Sequence, residues 1–380
     1  MRLIRTDKVP DGSILGRDII TGRDAVPLLR AGVSIDQRYR DALEKAGIHA
    51  IYIADEQSEG IVPVPAITDE ARLLTTRAVA TAFDEAKRSI AAGKSLPTTA
   101  ANSLTQVVER ILLEIEDSDV SSLVLNSNSC AEAYVIQHAI DVTALGLMIG
   151  RRLMGEQGWT DHRGQRQHGK RDERLARLGM GLLLHDIGKL AVPDQILSKP
   201  GKLSESEWEV MKTHPRVGLD LIRDSSAWCP LVHAVVLRHH ERWDGSGYPD
   251  GKQADEIHEM ARIAAVADAY LAITTERVYA PARPPHEGVR EILDGAQTLF
   301  DPVVCQVFAR IVAPYPPGSD IELSDGRHGI VVSVPEDELD RPAVRVTSGP
   351  DAPYEISLLE DPSIQIAGWG APPLTAAVAA

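Results

Sequence analysis

Leu182-Leu183-Leu184-His185-Asp186-Ile187-Gly188-Lys189 ends an apolar run on an imidazole and a carboxylate. The same arrangement recurs along the chain. His138 follows Ala133-Tyr134-Val135-Ile136 and precedes Ile140, Val142 and Leu145. His239-His240 closes Ala234-Val235-Val236-Leu237, Asp268 closes Ile263-Ala264-Ala265-Val266-Ala267, and His214 lies between them. Alone, a His in such a setting reads as a core residue, and a His-Asp pair reads as a hydrogen-bonded pair. Together they point elsewhere, because isolated charged or imidazole groups at the ends of buried helices are costly to desolvate. Gathering carboxylates and imidazoles around divalent cations removes that cost. His138, His185, Asp186, His214, His239, His240 and Asp268 offer too many donors for one tetrahedral zinc and suit two metal ions with shared water. Mixed His/Asp ligation without Cys favours Fe or Mn. His233 and His258 fit the pattern less cleanly and are expected to be structural.

Working outward, residues from about 118 to 312 read as mostly helical. They are interrupted by the hydrophilic stretch Gly155–Arg174, read as an exposed loop in which His162 and His168 are solvated. Upstream, Thr68 is expected to cap a helix from Asp69 to about Ala92. Leu104, Val107, Val108, Ile111, Leu112 and Ile115 then trace one face of a second helix. Ile14–Ile20, Ala25–Leu29 and Ile48–Ala54 read as strands, the first two joined by Thr21-Gly22-Arg23-Asp24. Ser34 is expected to cap a short helix through Lys45. Downstream of Tyr315-Pro316-Pro317-Gly318, the segments Ile321–Leu323, Gly329–Val334, Ala343–Val346 and Tyr354–Leu358 are short β patterns, with a hairpin signal at Asp325-Gly326. The expected fold class is mainly α: a helical bundle with a small N-terminal α/β unit and a small C-terminal antiparallel β unit. The expected divisions are 1–62, a helical connector at 68–126, a helical domain at 127–314, a β-rich domain at 315–370 and a flexible tail at 371–380.

The chain has 380 residues, 43% hydrophobic, 25% charged and only 4% aromatic, with a formal net charge of −15. That composition excludes wholesale disorder. Its acidity argues against DNA and anionic membranes as partners, since both select basic surfaces. A small anionic ligand needs only a local positive site. Cys130, Cys229 and Cys305 are few and scattered, so a disulfide framework and a thiolate zinc site are both unsupported. The N-terminus lacks a signal-like apolar run, and no stretch is long enough to span a bilayer. A cytoplasmic location is expected.

The segment His185-Asp186-Ile187-Gly188-Lys189 resembles the signature of the HD superfamily of metal-dependent phosphohydrolases. The ordered series that follows is more specific: Val192-Pro193-Asp194, Lys199-Pro200-Gly201-Lys202-Leu203, His214-Pro215, His239-His240-Glu241-Arg242, Asp244-Gly245 and Gly247-Tyr248-Pro249. This set, over about residues 130–312, is similar to the HD-GYP family of bacterial cyclic di-GMP phosphodiesterases. The resemblance implies an HD-type helical bundle that hydrolyses cyclic di-GMP to pGpG, and on to GMP in some cases. A hydroxide held by two divalent metal ions would be the nucleophile. It places metal ligands at the seven residues above, with Asp186 bridging. Lys189 is assigned with Asp186 to catalysis, and Lys189, Arg242, Gly247, Tyr248, Pro249 and Arg277 to substrate binding. The expected partners are a cyclic dinucleotide, a protein of the diguanylate cyclase type at the Gly-Tyr-Pro loop, and a second copy of the chain. The alternatives are a cyclic dinucleotide sensor or protein scaffold without turnover, and a hydrolase of another phosphoester such as cyclic GMP-AMP.

Two departures from the family pattern bear on function. Some members carry a Glu four residues before the first His that helps to hold a third metal. Tyr134 stands there, so two metals are expected. After Asp268, Leu271 replaces a second Asp, Val278 a Pro and Ala280 a basic residue expected to contact phosphate. Losing that contact would weaken binding by ~1–3 kcal/mol if it were desolvated. Arg283 is the candidate replacement.

Overall fold

The computed structural model describes residues 1–21, 26–116, 131–161, 165–223, 228–275 and 282–369. Its N-terminal part comprises Arg2–Arg5 (β1), Ser13–Leu15 (β2), Ile19–Thr21 (β3), Val26–Leu29 (β4), Ser34–Ile35 (β5), Gln37–Lys45 (α1) and Ala50–Ala54 (β6). An antiparallel sheet runs in the order β1-β6-β2-β5, and β3 pairs separately with β4. Alternation in β6 turns Ile51 and Ile53 onto Leu15, Ile35 and Leu43. Two expectations are corrected here. The run Ile14–Ile20 is two strands that pair with different partners. The cap of α1 is Asp36, whose carboxylate accepts from the Tyr39 amide at 3.0 Å. Ser34 instead pairs with β2, because its neighbour Ile35 is committed to the apolar cluster. The expected turn at 22–24 lies outside the described residues.

The helices that follow are Asp69–Ala91 (α2), Thr98–Glu116 (α3), Ala131–Gln157 (α4), Arg171–Leu184 (α5), Asp194–Leu197 (α6), Glu205–Met211 (α7), His214–Ile222 (α8), Pro230–Arg238 (α9), Glu259–Thr274 (α10), Pro285–Asp294 (α11) and Pro302–Ala309 (α12). Thr68 caps α2 by accepting from Ala71, with Asp69 and Glu70 favourably placed in the first turn. The anticipated face of α3 is buried at Leu104, Val107, Val108, Ile111 and Ile115. Helices α2 and α3 share one apolar cluster with α4, α5, α9, α10 and α12. The stretch 155–174 differs from the loop expected of it. Helix α4 continues through Gly155, Trp159–Thr160 (β7) pairs with Arg166–Gln167 (β8), and α5 begins at Arg171. His168 is exposed, and His162 lies outside the described residues.

The C-terminal part is an antiparallel sheet of Asp320–Leu323 (β9), His328–Ser333 (β10), Ala343–Val346 (β11), Tyr354–Ser357 (β12) and Ile366–Trp369 (β13), in the order β12-β11-β10-β9-β13. The turn at Asp325-Gly326 joins β9 to β10. Ile321, Leu323, Val331, Val344, Val346 and Leu358 form its core. Strand β13 lacks a sequence signal, since Ala367 and Gly368 offer little alternation; it is recruited by pairing along β9. Strand β1 touches the start of the C-terminal sheet: Leu3 N–H donates to Gly318 O (2.9 Å), and Arg2 pairs with Asp320 (3.2 Å) as well as with Asp55 (2.8 Å). Residues 371–380, expected to be a flexible tail, lie outside the described residues. Among the described residues no helix is long and apolar enough to cross a membrane.

Candidate metal centre

Five helices meet at the histidines. His138 lies two turns into α4 and Asp268 in the middle of α10; His185 and Asp186 follow the last turn of α5; His214 opens α8; His239 and His240 follow α9. After Asp186 the chain tightens into a 3-10 turn over Ile187–Ala191, so Lys189 is not one α-helical turn beyond His185 as expected. It reaches back to Asp186 instead, with Nζ donating to Oδ2 at 2.6 Å. Gly188 makes this turn fit. A Cβ there would lie 1.9 Å from the carbonyl oxygen of His214 and 2.6 Å from the amide nitrogen of Gly218. The missing side chain therefore lets the His185-Asp186 turn lie directly against the start of α8, and this contact delivers His214.

The donor atoms converge on the two carboxylates. Asp186 Oδ1 is 3.3 Å from His214 Nε2 and 3.7 Å from His239 Nε2, and Asp186 Oδ2 is 3.3 Å from His185 Nε2. Asp268 Oδ1 is 3.0 Å from His138 Nε2 and 3.9 Å from His185 Nε2, and Asp268 Oδ2 is 3.7 Å from His240 Nδ1. Two groups result, each tight enough for one cation: His138, His185 and Asp186, and Asp186, His214, His239 and His240. They share Asp186.

The backbone orients three of the imidazoles. Nδ1 of His185 is 2.6 Å from Leu182 O, Nδ1 of His214 is 2.8 Å from Met211 O, and Nδ1 of His239 is 3.0 Å from Val236 O. A carbonyl only accepts, so each Nδ1 carries the proton and each Nε2 presents its lone pair. Burial, partly offset by Asp186, pushes His239 down to about 4, and burial with the neighbouring His239 holds His240 well below the usual imidazole value. Burial works most strongly against charge on His185, but Asp186, Asp268 and the Leu182 carbonyl together outweigh it and raise that imidazole. Burial also disfavours the two carboxylates, yet Lys189 and His185 keep Asp186 well below the usual range, and His138 and His240 do the same for Asp268. His185 Nε2 and Asp186 Oδ1 are buried without a hydrogen-bond partner. Such orphans cost free energy unless something else binds them. Imidazole lone pairs beside ionised carboxylates are the donor set that borderline divalent cations take.

Residues 152–304 match the family described as HD domain. The chain is 34% identical over 276 residues to a cyclic di-GMP phosphodiesterase of Pseudomonas aeruginosa, covering 73% of this chain and 62% of that one. It is 44% identical over 137 residues to the cyclic di-GMP phosphodiesterase response regulator RpfG of Xanthomonas campestris, 36% of each chain. These matches place the stretch 152–304 among HD domains similar to those of cyclic di-GMP phosphodiesterases. It also resembles a 3'3'-cGAMP-specific phosphodiesterase of Vibrio cholerae, 33% identical over 192 residues, 50% of this chain and 39% of that one. The chain spans less than two thirds of the length of each of these relatives.

The Gly247-Tyr248-Pro249 loop is built by two residues. Gly247 lies flush against the backbone after α9: a Cβ would sit 2.4 Å from Arg242 N and 2.5 Å from His240 O. Glu241 is buried, and its carboxylate accepts from the amides of Asp250 (2.8 Å) and Lys252 (3.0 Å). The signal for Glu241 in the sequence is its place between the paired histidines and a glycine-rich loop that it can clamp. The clamp folds the Tyr248 ring onto the centre, where it stacks on His240 with centroids 4.7 Å apart. Pro249 follows it, and Trp208 of α7 meets Tyr248 edge-on at 6.1 Å. Arg242 is half-buried, with its guanidinium 5.4 Å from the Phe300 ring centre. Leu271 is buried in the apolar cluster. Arg283 is held by Glu287 at 2.8 Å and by Glu291, so it is engaged on α11. Arg277, Val278 and Ala280 lie outside the described residues, and the same holds for the Tyr134 side chain. His233 stands apart from the two donor groups, and His258 caps α10, its Nδ1 accepting from Met260 N at 3.2 Å.

Proposed function

We propose that the chain hydrolyses cyclic di-GMP to linear pGpG at a pair of divalent cations, Fe or Mn. The observation that carries this reading is the sharing of Asp186 between two buried donor groups. One cation falls to His138, His185 and Asp186, the other to Asp186, His214, His239 and His240; Asp268, expected as a seventh ligand, lies outside both donor groups and braces them through His138 and His240. Bound there, the cations supply activation of the attacking water and uptake of charge on the phosphoryl oxygens. The protein's own part is to hold imidazole lone pairs inward through the three Nδ1 contacts and to keep both carboxylates ionised. Lys189, at the rim beside Asp186, takes a phosphate oxygen and passes a proton to the leaving 3'-oxygen. Tyr248 offers a flat ring against a base, with Gly247 and Pro249 shaping the loop, and Arg242 and Arg277 add positive charge. The tyrosine at position 134 supports two cations rather than three. The same loop is the face for a protein partner of the diguanylate cyclase type, and a cytoplasmic location fits a nucleotide substrate.

The buried Leu271 favours a second reading. Where the family has an acid, this chain has packing, and a cyclic dinucleotide sensor or scaffold would tolerate that change. Protein purified anaerobically and loaded with Mn or Fe is to be given cyclic di-GMP and 3'3'-cGAMP, with metal content and products measured together. Turnover of cyclic di-GMP that is lost in Asp186→Ala supports the hydrolase. Tight binding without turnover at full metal occupancy supports the sensor and rejects the hydrolase. Separate apolar clusters support reading 1–62 and 315–370 as units of their own, whereas the connector 68–126 shares the core of 127–314.

A further inference from the structure

We infer that Arg72 is a positioning residue for the metal centre, acting on His138 through helix α4. The inference rests on the two-cation reading above. Arg72 lies on α2, outside the residues that match the HD domain family. It is buried, and it grips α4 at two points: Nη1 donates to Gln137 Oε1 at 3.1 Å, and Nη2 pairs with Asp141 Oδ1 at 2.7 Å. Gln137 Nε2 donates onward to Thr76 Oγ1 of α2 at 2.7 Å. Gln137, Asp141, Thr76 and Arg72 are all buried.

Gln137 and Asp141 are four residues apart and share one face of α4. His138 follows Gln137 and is turned from that face by about 100°, onto α10, where its Nε2 meets Asp268 Oδ1 at 3.0 Å. The neighbours Ile136, Ala139, Ile140 and Val142 are apolar and buried, and further along Gly146 and Gly150 seat α4 closely against Leu182 and Leu178 of α5. The Arg72 fork adds directional, charged contacts at the end of α4 that carries His138. Contacts spaced one turn apart fix both the axial position of α4 and its rotation against α2. A rotation of about 20° moves a group at the ~5 Å outer radius of a helix by about 2 Å. Productive sites tolerate about 0.5 Å. A buried ion pair contributes little net stability compared with an apolar pair of the same shape, which leaves geometry as the property that the pair contributes here.

The test uses the full chain with Arg72→Met, Arg72→Lys and the double variant Arg72→Met/Asp141→Leu. The single Met change strands Asp141 in the interior and risks unfolding, so the double variant, which removes both charges, carries the decision. Three quantities are measured: unfolding of the metal-free protein, Mn²⁺ binding resolved into its two sites, and hydrolysis of cyclic di-GMP. The double variant, which still leaves Gln137 Oε1 without its donor, is expected to remain folded with a modestly lowered midpoint, to keep the cation of the Asp186, His214, His239 and His240 group, and to bind the His138-side cation about 10–100-fold more weakly, the usual cost of losing support behind a metal ligand. Arg72→Lys, which keeps the charge without the fork, is expected to fall between. A stable double variant that binds both cations within threefold of wild type overturns the inference and leaves the proposed function standing. A wild-type chain that binds no cation overturns both.

Discussion

Replacing Gly188 by Ala tests the centre through a single methyl group. The added carbon would lie 1.9 Å from the carbonyl oxygen of His214, a backbone atom that cannot rotate away. Relief to a contact of about 3.2 Å needs a shift of about 1.3 Å between the His185-Asp186 turn and the start of α8, and overpacking on that scale costs ~1–3 kcal/mol. His214 Nε2 now lies 3.3 Å from Asp186 Oδ1. A shift of that size takes one imidazole out of the Asp186, His214, His239 and His240 group while leaving its chemistry intact. Misplacement by about 1 Å is enough to lower turnover ~100-fold, so kcat/KM for cyclic di-GMP should fall by at least that factor, with loss of one of two bound Mn²⁺ and a modest drop in Tm. Gly169→Ala is the control, because its Cβ would meet nothing within 4 Å. If Gly188→Ala keeps both cations and turns over within threefold of wild type, the reasoning from the packed turn to His214 is wrong.

Other substitutions separate the shared ligand from the unshared ones. Asp186→Ala should abolish both Mn²⁺ sites and His138→Ala only one, counted by metal titration; equal losses in the two variants would contradict the shared role. Glu241→Gln removes one of two carboxylate acceptors for the Asp250 and Lys252 amides. It should cost ~1–3 kcal/mol and speed proteolysis within 244–252, and unchanged digestion there would refute the clamp. His258, outside the donor groups, is pushed down to about 4 by burial first and then by Arg174, Arg262 and Arg238. The unfolded chain takes up its proton near pH 6.5 and the folded chain does not, so stability falls as pH drops through that interval, by about 2 kcal/mol between pH 7 and pH 5. His258→Asn keeps a capping acceptor without the titration, and urea unfolding at the two pH values should show that part of the dependence gone.

Much of the site was legible because apolar runs ending on His or Asp mark helix positions that face a core. The burial of His138, His185, Asp186, His214, His239 and Asp268 follows from those runs. What the sequence hid was contact between distant segments. Nothing in Gly188 announces that its missing side chain is filled by the His214 carbonyl, and nothing in Glu241 announces two amide partners nine and eleven residues on. Helical spacing also misplaced Lys189, since it assumes a continuous α-turn where the chain tightens to reach α8. In the N-terminal sheet, capping propensity put Ser34 ahead of Asp36. Burial of Ile35 decided otherwise, as tertiary packing often does with short segments.

The charge of the centre resolves a tension in the composition. A chain with a net charge of −15 is a poor partner for polyanions, yet the proposed substrate carries two phosphodiesters. At the centre, Asp186 and Asp268 contribute two negative charges and Lys189 one positive, while burial keeps His239 and His240 neutral. Two divalent cations would turn that local balance from net negative to strongly positive in a buried, low-dielectric setting, where charge acts with little screening. The acidic exterior then disfavours long nucleic acids, and a small dianion able to enter the centre meets a positive field. On this account, affinity for the dinucleotide should vanish with chelation of the metal and should depend little on the surface charge of the rest of the chain.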